Sequence, residues 1–89
     1  MTDLHQLWFA LDARLSALLQ NLPWMPQADR DAIRDYIDHN EFGLALELLI
    51  NTVADLGQSL PDDQHLEVAE LAGLMGMPAS VLQPLKPSK

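Results

Sequence analysis

The chain has 89 residues, of which 48% are hydrophobic, and its formal net charge is −8. This length allows one domain, and an acidic disordered segment would contain fewer Leu, Ile and Val residues. The absence of cysteine excludes a disulfide framework and a thiolate zinc site, and the negative charge disfavours binding to nucleic acids or anionic lipids. We therefore expect one domain over residues 1–85 and a flexible tail over residues 86–89.

The first predicted helix covers about residues 3–20. Its apolar residues recur at the spacing of one helical stripe. They are Leu4, Leu7, Trp8, Leu11, Leu15, Leu18, Leu19 and Leu22. Two prolines in the segment 21–26 end the helix. Trp24 and Met25 lie in this segment, and we expect both side chains to fold back onto the core.

The second predicted helix covers about residues 27–39 and has a narrow apolar face. The residues expected to point inward are Ala28, Ala32, Ile33, Tyr36 and Ile37. Asn40 is expected to end this helix. The third helix then begins at residues 41–43, where Gly43 is expected to allow close helix packing, and Gly57 closes it. Its apolar positions are the densest in the chain, so we expect it to be the central element. They are Phe42, Ala45, Leu46, Leu49, Ile50, Val53 and Leu56.

The fourth predicted helix has Pro61 in its first turn, where a missing N–H costs nothing. Asp62 and Asp63 follow and complement the positive end of the helix dipole, and Gly76 ends the helix. Its expected packing side consists of Leu66, Ala69, Leu71, Ala72 and Met75. Residues 78–82 are expected to form one last short helical turn. The predicted fold class is all-α, a compact bundle of four helices with a short fifth.

The histidines and carboxylates do not form a recognisable catalytic or metal site. His5, His39 and His65 are scattered, and none of them forms the i, i+4 pair that binds zinc on one helical face. Asp35 and His39 have that spacing, which indicates a local electrostatic contact near a helix end. The sequence also lacks a phosphate-binding glycine loop and a nucleophile elbow. We therefore predict no enzymatic activity, no metal, no cofactor and no small-molecule substrate.

The charges are segregated along the chain. Between Arg34 and Lys86 there is no Lys or Arg. The acidic residues of this stretch are Asp35, Asp38, Glu41, Glu47, Asp55, Asp62, Asp63, Glu67 and Glu70. One continuous region therefore supplies most of the negative field, which attracts basic partners.

Residues 54–60 resemble the region around the prosthetic-group serine of acyl carrier proteins, which are also small, acidic and four-helical. That resemblance would make Ser59 the attachment site of a phosphopantetheine arm. The sequence departs from the carrier pattern because Gln58 replaces an Asp and Pro61 follows almost directly. The alternative role of Ser59 is that of a helix-capping or loop residue.

The segment 36–49, with the sequence YIDHNEFGLALELL, resembles the core of small bacterial immunity proteins of the MafI type. The similarity extends more weakly over residues 30–77. That family neutralises polymorphic toxins, so the resemblance implies a cognate toxin domain as the protein partner. Toxin domains that act on RNA or DNA are usually basic, which agrees with the acidic charge of this chain. A helical adaptor whose exposed apolar side binds a partner helix is a further alternative.

The candidate contact surface is acidic. It consists of Asp31, Asp35, Asp38, Glu41 and Glu47. The first three share one helical face through their i, i+4, i+7 spacing. An alternative patch on the fourth helix consists of Asp62, Asp63, Glu67 and Glu70. The sequence leaves the choice between the two patches open.

The expected location is the cytoplasm. The amino terminus has Asp3 and His5 where a secretory signal would place Lys or Arg, and an amphipathic stretch follows. No apolar run approaches the ~20 residues that cross a bilayer. We therefore expect no association with a membrane.

Overall fold

The computed structural model describes residues 4–85, so the predicted tail at residues 86–89 lies outside the described residues. The helices are α1 (Leu4–Gln20), α2 (Gln27–Asp38), α3 (Phe42–Asp55) and α4 (Asp62–Leu74), followed by a 3₁₀ turn at Ala79–Leu82. Residues 4–85 contain no β-strand. The predicted all-α bundle of four helices with a short fifth is confirmed.

The four helices alternate in direction. Arg34 of α2 bonds to Ser16 of α1, and Arg30, one turn earlier, reaches the end of α1, so α1 and α2 are antiparallel. The start of α4 also reaches the end of α1, where Gln64 donates to the carbonyl of Asn21. Phe42 at the start of α3 lines a common groove with Leu7 of α1 and Leu74 of α4, so α1 and α3 begin at the end of the bundle where α2 and α4 finish.

The third helix forms the centre of the core, as predicted. It contacts α1, α2, α4 and the 3₁₀ turn. Its buried residues are Phe42, Ala45, Leu46, Leu49, Ile50, Thr52 and Val53. Leu56, expected inward, is instead 41% exposed because it follows the last helical residue. The burial of the apolar residues of α3, together with that of the facing stripe of α1, provides the main stabilisation of the domain.

Three helices end in the same hydrogen-bonded motif, which confirms the predicted stop residues. Asn40, Gly57 and Gly76 have positive φ angles of 59°, 69° and 69°. After α2, the N–H of Glu41 donates to the carbonyl of Tyr36 and that of Asn40 to the carbonyl of Ile37. This is the Schellman pattern, which satisfies carbonyls that a helix end leaves without partners.

The predicted inward face of α4 was partly wrong. Leu66 is 60% exposed, whereas Val68, which the prediction did not include, is fully buried. Leu71 and Ala72 are buried as expected. Apolar residues are spread almost all the way around this helix, so their spacing alone does not determine which side faces the core.

Two further expectations about burial were wrong. Met25 folds onto the core as expected, but Trp24 is 40% exposed. In α2, Ile33 and Ile37 are buried while Ala28 and Ala32 are exposed. The small alanines lie at the edge of the apolar stripe, where two isoleucines suffice to fill the contact with the neighbouring helices. The outer face of α2 is therefore wider than the sequence indicated.

Candidate functional site

The outer face of α2 carries a row of exposed carboxylates. Asp31, Asp35 and Asp38 all lie in the exposed class, and their spacing places them on one side of the helix. Gln27 donates from Nε2 to the carboxylate of Asp31 at 2.7 Å, a neutral contact that leaves the charge in place. This face therefore presents three negative charges to solvent.

The two arginines of α2 are directed towards α1 and away from this row. Arg30 donates from Nη1 to the carbonyls of Leu19 and Leu22, at 2.9 and 2.7 Å. Leu19 belongs to the last turn of α1 and Leu22 to the loop that follows it, and each carbonyl also accepts a backbone N–H, from Leu22 and Met25 respectively. Arg34 donates to the hydroxyl of Ser16 at 2.9 Å and approaches Asp38 only to 4.0 Å. Both cations thus hold α1 in place and leave the outer face acidic.

His39 follows the last residue of α2 and lies in an acidic cluster formed by Asp35, Asp38 and Glu41. Its Nδ1 atom is 2.7 Å from the backbone carbonyl of Asp35 and 3.5 Å from the Asp35 carboxylate. The contact with this carbonyl, followed by the charges of Asp35, Glu41 and Asp38, raises the pKa of His39 above its ordinary value. Protonation of His39 below this raised pKa would therefore reduce the negative charge of this cluster. We did not predict His39 as a site residue, although its acidic neighbours in the sequence indicated this electrostatic environment.

The structure thus brings together four of the five predicted contact residues. Asp31, Asp35 and Asp38 form the outer row of α2, and Glu41 follows His39 in the connection to α3. Glu47 is also exposed, but it lies on α3, about one and a half turns beyond Glu41. We name Asp31, Asp35, Asp38 and Glu41 the acidic face.

The alternative acidic patch on α4 is engaged by a cation from α1. Arg14 donates from Nε and Nη2 to the two carboxylate oxygens of Glu67, at 2.9 and 2.6 Å, and from Nη2 to Glu70 at 2.9 Å. The hydrogen bond from Arg14, opposed in part by desolvation, lowers the pKa of Glu67. Two of the four carboxylates of this patch therefore join α1 to α4. Of the two patches, the acidic face has the smaller share of its charge compensated by arginine.

We expect Glu67→Gln to lower the free energy of unfolding by roughly 1 kcal/mol at neutral pH, because the partly exposed, bidentate pair with Arg14 is lost. The depressed pKa of Glu67 means that its contribution is present above the ordinary carboxyl pKa and disappears as the pH falls through the folded-state pKa. Urea titrations at several pH values test this. If the stability difference between the wild type and the Glu67→Gln variant persists unchanged into strong acid, the stabilisation by Glu67 does not depend on its charge.

Ser59 lies in the loop at residues 56–61 and is exposed. The helix α4 begins three residues later, at Asp62, and Pro61 occupies the position just before it. Ser59 is therefore a loop residue and does not cap α4. In the carrier family, by contrast, the modified serine stands at the start of a helix.

Other kinds of site are not apparent in the described part of the chain. Within residues 4–85, no helix combines the length and the hydrophobicity needed to cross a lipid bilayer. In the same range, no three His, Asp or Glu side chains lie close enough together to hold a metal ion. No protein-family profile matches the chain, and neither a curated protein nor a solved structure matches it.

Proposed function

We propose that this protein is an immunity protein, which binds a cognate secreted toxin domain and neutralises it by steric and electrostatic occlusion. The partner is a basic protein domain, most simply a nuclease whose phosphate-binding surface the acidic face covers. The protein acts in the cytoplasm of the cell that it protects. It performs no catalysis and needs no cofactor in this role.

The observation that carries this proposal is the acidic face together with the distribution of cations around it. Asp31, Asp35 and Asp38 point outward, whereas the arginines of the same helix are directed towards α1. The 51 residues between Arg34 and Lys86 contain no Lys or Arg. A basic partner would therefore approach a predominantly negative surface, in which Arg34 lies 4.0 Å from Asp38, and opposite fields raise association rates.

The MafI-type resemblance supports the proposal. The segment that carries it, residues 36–49, contributes residues both to the core and to the surface. Ala45, Leu46 and Leu49 are fully buried, and these positions would be apolar in any helical bundle. Glu41 and Glu47 of the same segment are exposed, so packing does not explain them. Glu41 also stands at the start of α3, where a carboxylate complements the positive end of the helix dipole, so a binding role would add to this structural role.

The exposed alanines of α2 also suit a binding surface. Ala28 and Ala32 lie beside the aspartates on the solvent side of the helix. Side chains this small would allow a partner to approach the backbone of α2 closely. The aspartate carboxylates, which are short side chains, could then contact the partner's Lys and Arg side chains directly. Steering by charge would bring the partner in, and a few well-packed contacts would then set the residence time.

Co-expression with the toxin domain encoded immediately upstream tests this function. We expect the protein to restore growth against that toxin and to fail against toxins with unrelated catalytic domains, because a binder must match the shape and charge of its partner. The tagged pair should also co-purify as a complex. Absence of an upstream toxin gene, or a pair that neither forms a complex nor restores growth, would refute the immunity assignment and favour the adaptor.

A further inference from the structure

An apolar groove lies at the end of the bundle where α1 and α3 begin and α2 and α4 finish. Its volume is about 350 Å³. Residues that line it include Trp8, Phe42, Gly43, Leu74, Met75 and Met77. Trp8 is 41% exposed and Leu74 is 50% exposed, although both side chains are large and apolar. Concave apolar surfaces that remain uncovered in a small domain mark interaction sites.

Gly43 keeps one wall of this groove open. A Cβ atom added at Gly43 would meet no atom within 4 Å, so the expectation that this glycine allows close helix packing was wrong. Glycine lowers the stability of a helix relative to other residues. At this position it leaves space that a larger side chain would fill.

The groove is continuous with the acidic face. Asn40 lines the groove and stands between His39, which lies in the acidic cluster, and Glu41. A neighbouring pocket shares Leu74 with the groove and is lined by Arg14 and Glu70; there the guanidinium of Arg14 is bound to Glu67 and Glu70, so its positive charge is compensated. The occupant should therefore combine an apolar side chain with positive charges.

We propose that the groove receives a bulky apolar side chain from a basic amphipathic segment of the neutralised protein, so that the groove and the acidic face bind the same partner. This inference rests on the proposed immunity function. The two surfaces act on different rates. The acidic face accelerates association, and the apolar side chain buried in the groove slows dissociation. Met75 and Met77 can adapt their flexible thioether side chains to the anchor. A second copy of this chain is the less favoured occupant, because each copy carries a net charge of −8.

The test uses a synthetic amphipathic helix of leucine and lysine as the probe, with a leucine and glutamate helix of the same pattern as its charge control. Binding is followed by the fluorescence of Trp8 in a Trp24→Phe background, since Trp24 lies outside the groove. We expect the lysine peptide to shift the Trp8 emission to shorter wavelength and the glutamate peptide to leave it unchanged. Equal binding of the two peptides would overturn the charge argument.

Two variants remove the groove in opposite ways. Leu74→Ala deletes part of its wall, and Gly43→Leu fills it; each should weaken binding of the lysine peptide by about tenfold or more. Gly43→Leu should not lower the melting temperature, because leucine favours a helix more than glycine does. Circular dichroism therefore separates loss of binding from loss of folding.

Leu66→Ala is the matched control, because Leu66 is an exposed leucine on the same helix as Leu74 and does not line the groove. We expect it to bind the lysine peptide as the wild type does. Equal weakening by Leu66→Ala and Leu74→Ala, or unchanged binding by Gly43→Leu, would overturn the proposal. Sedimentation equilibrium that shows a dimer abolished by Gly43→Leu would assign the groove to a second copy and overturn it as well.

The two proposals can fail separately. If the wild-type protein protects against its toxin and Gly43→Leu protects equally well with unchanged affinity, the groove inference fails while the immunity function stands. If no toxin is neutralised but the lysine peptide binds through the groove, the immunity function fails while the preference of the groove for basic amphipathic segments is supported.

Discussion

Replacing Leu49 by alanine is expected to lower the free energy of unfolding by roughly 2–5 kcal/mol. Leu49 is fully buried in the middle of α3, the helix that contacts α1, α2 and α4. The truncation removes apolar contacts and leaves a cavity that close-packed neighbours fill only in part. Domains of this kind have total stabilities of about 5–15 kcal/mol, so the variant should unfold at a much lower urea concentration.

The matched control for this prediction is Leu44→Ala. Leu44 lies on the same helix but is 48% exposed, so its truncation should change the free energy of unfolding by less than about 0.5 kcal/mol. Both measurements use urea unfolding followed by circular dichroism. Equal stability of the Leu49 variant and the wild type would contradict the central position of α3 in the core.

Reversing the charges at Asp35 and Asp38 to lysine is expected to slow association with the proposed toxin partner by roughly tenfold to a hundredfold at low salt. Both carboxylates are exposed, with side-chain exposures of 74% and 61%, so the fold should survive. The salt dependence of the association rate should weaken as well, because screening then acts on a smaller attraction. Stopped-flow measurements at low and high ionic strength determine both effects.

The comparison variant reverses Asp62 and Asp63, which changes the net charge by the same amount at the alternative patch. Circular dichroism and thermal melting check the fold of both variants, since lysines near the start of α4 oppose its helix dipole. We expect the α4 variant to associate faster than the α2 variant. If the α2 variant associates as fast as the wild type, the acidic face is not the steering surface and α4 becomes the candidate.

The fold class and the helix ends could be predicted from the sequence because both depend on local chemistry. Asn40 and glycine tolerate the left-handed backbone that ends a helix, and these residues are visible in the sequence without tertiary information. The stripe of leucines on α1 likewise predicts its buried face. Such features involve residues within one or two turns of each other, where spacing and geometry are tightly linked.

Burial at the margins of the bundle could not be predicted in the same way. Trp8 belongs to the apolar stripe of α1 by spacing, yet it is 41% exposed and lines the open groove. Trp24 follows a proline in a loop, where helical periodicity gives no information about side-chain direction. For Leu66, the apolar residues of α4 are spread almost all the way around the helix, so their spacing does not identify the buried side. In each case the outcome depends on elements that are distant in sequence.

The candidate site also has one part that the sequence predicts and one part that depends on the tertiary fold. The spacing of Asp31, Asp35 and Asp38 predicted that they share an exposed side of α2. The pairing of Arg14 with Glu67 joins residues separated by 53 positions, so no local pattern could indicate that half of the α4 patch is engaged. The groove also escaped prediction, because it is formed by the ends of four helices that meet only in the folded chain.

The short connections between helices have a consequence for the rate at which the protein folds. Residues 21–26, 39–41 and 56–61 join the four helices, and each helix contacts the next one along the chain. Helical domains dominated by contacts of this local kind fold in microseconds to milliseconds, since little chain entropy is lost before native contacts form. If the chain acts as the inhibitor proposed above, the time needed to replace bound molecules is set by synthesis, because each new chain folds and can bind soon after it leaves the ribosome.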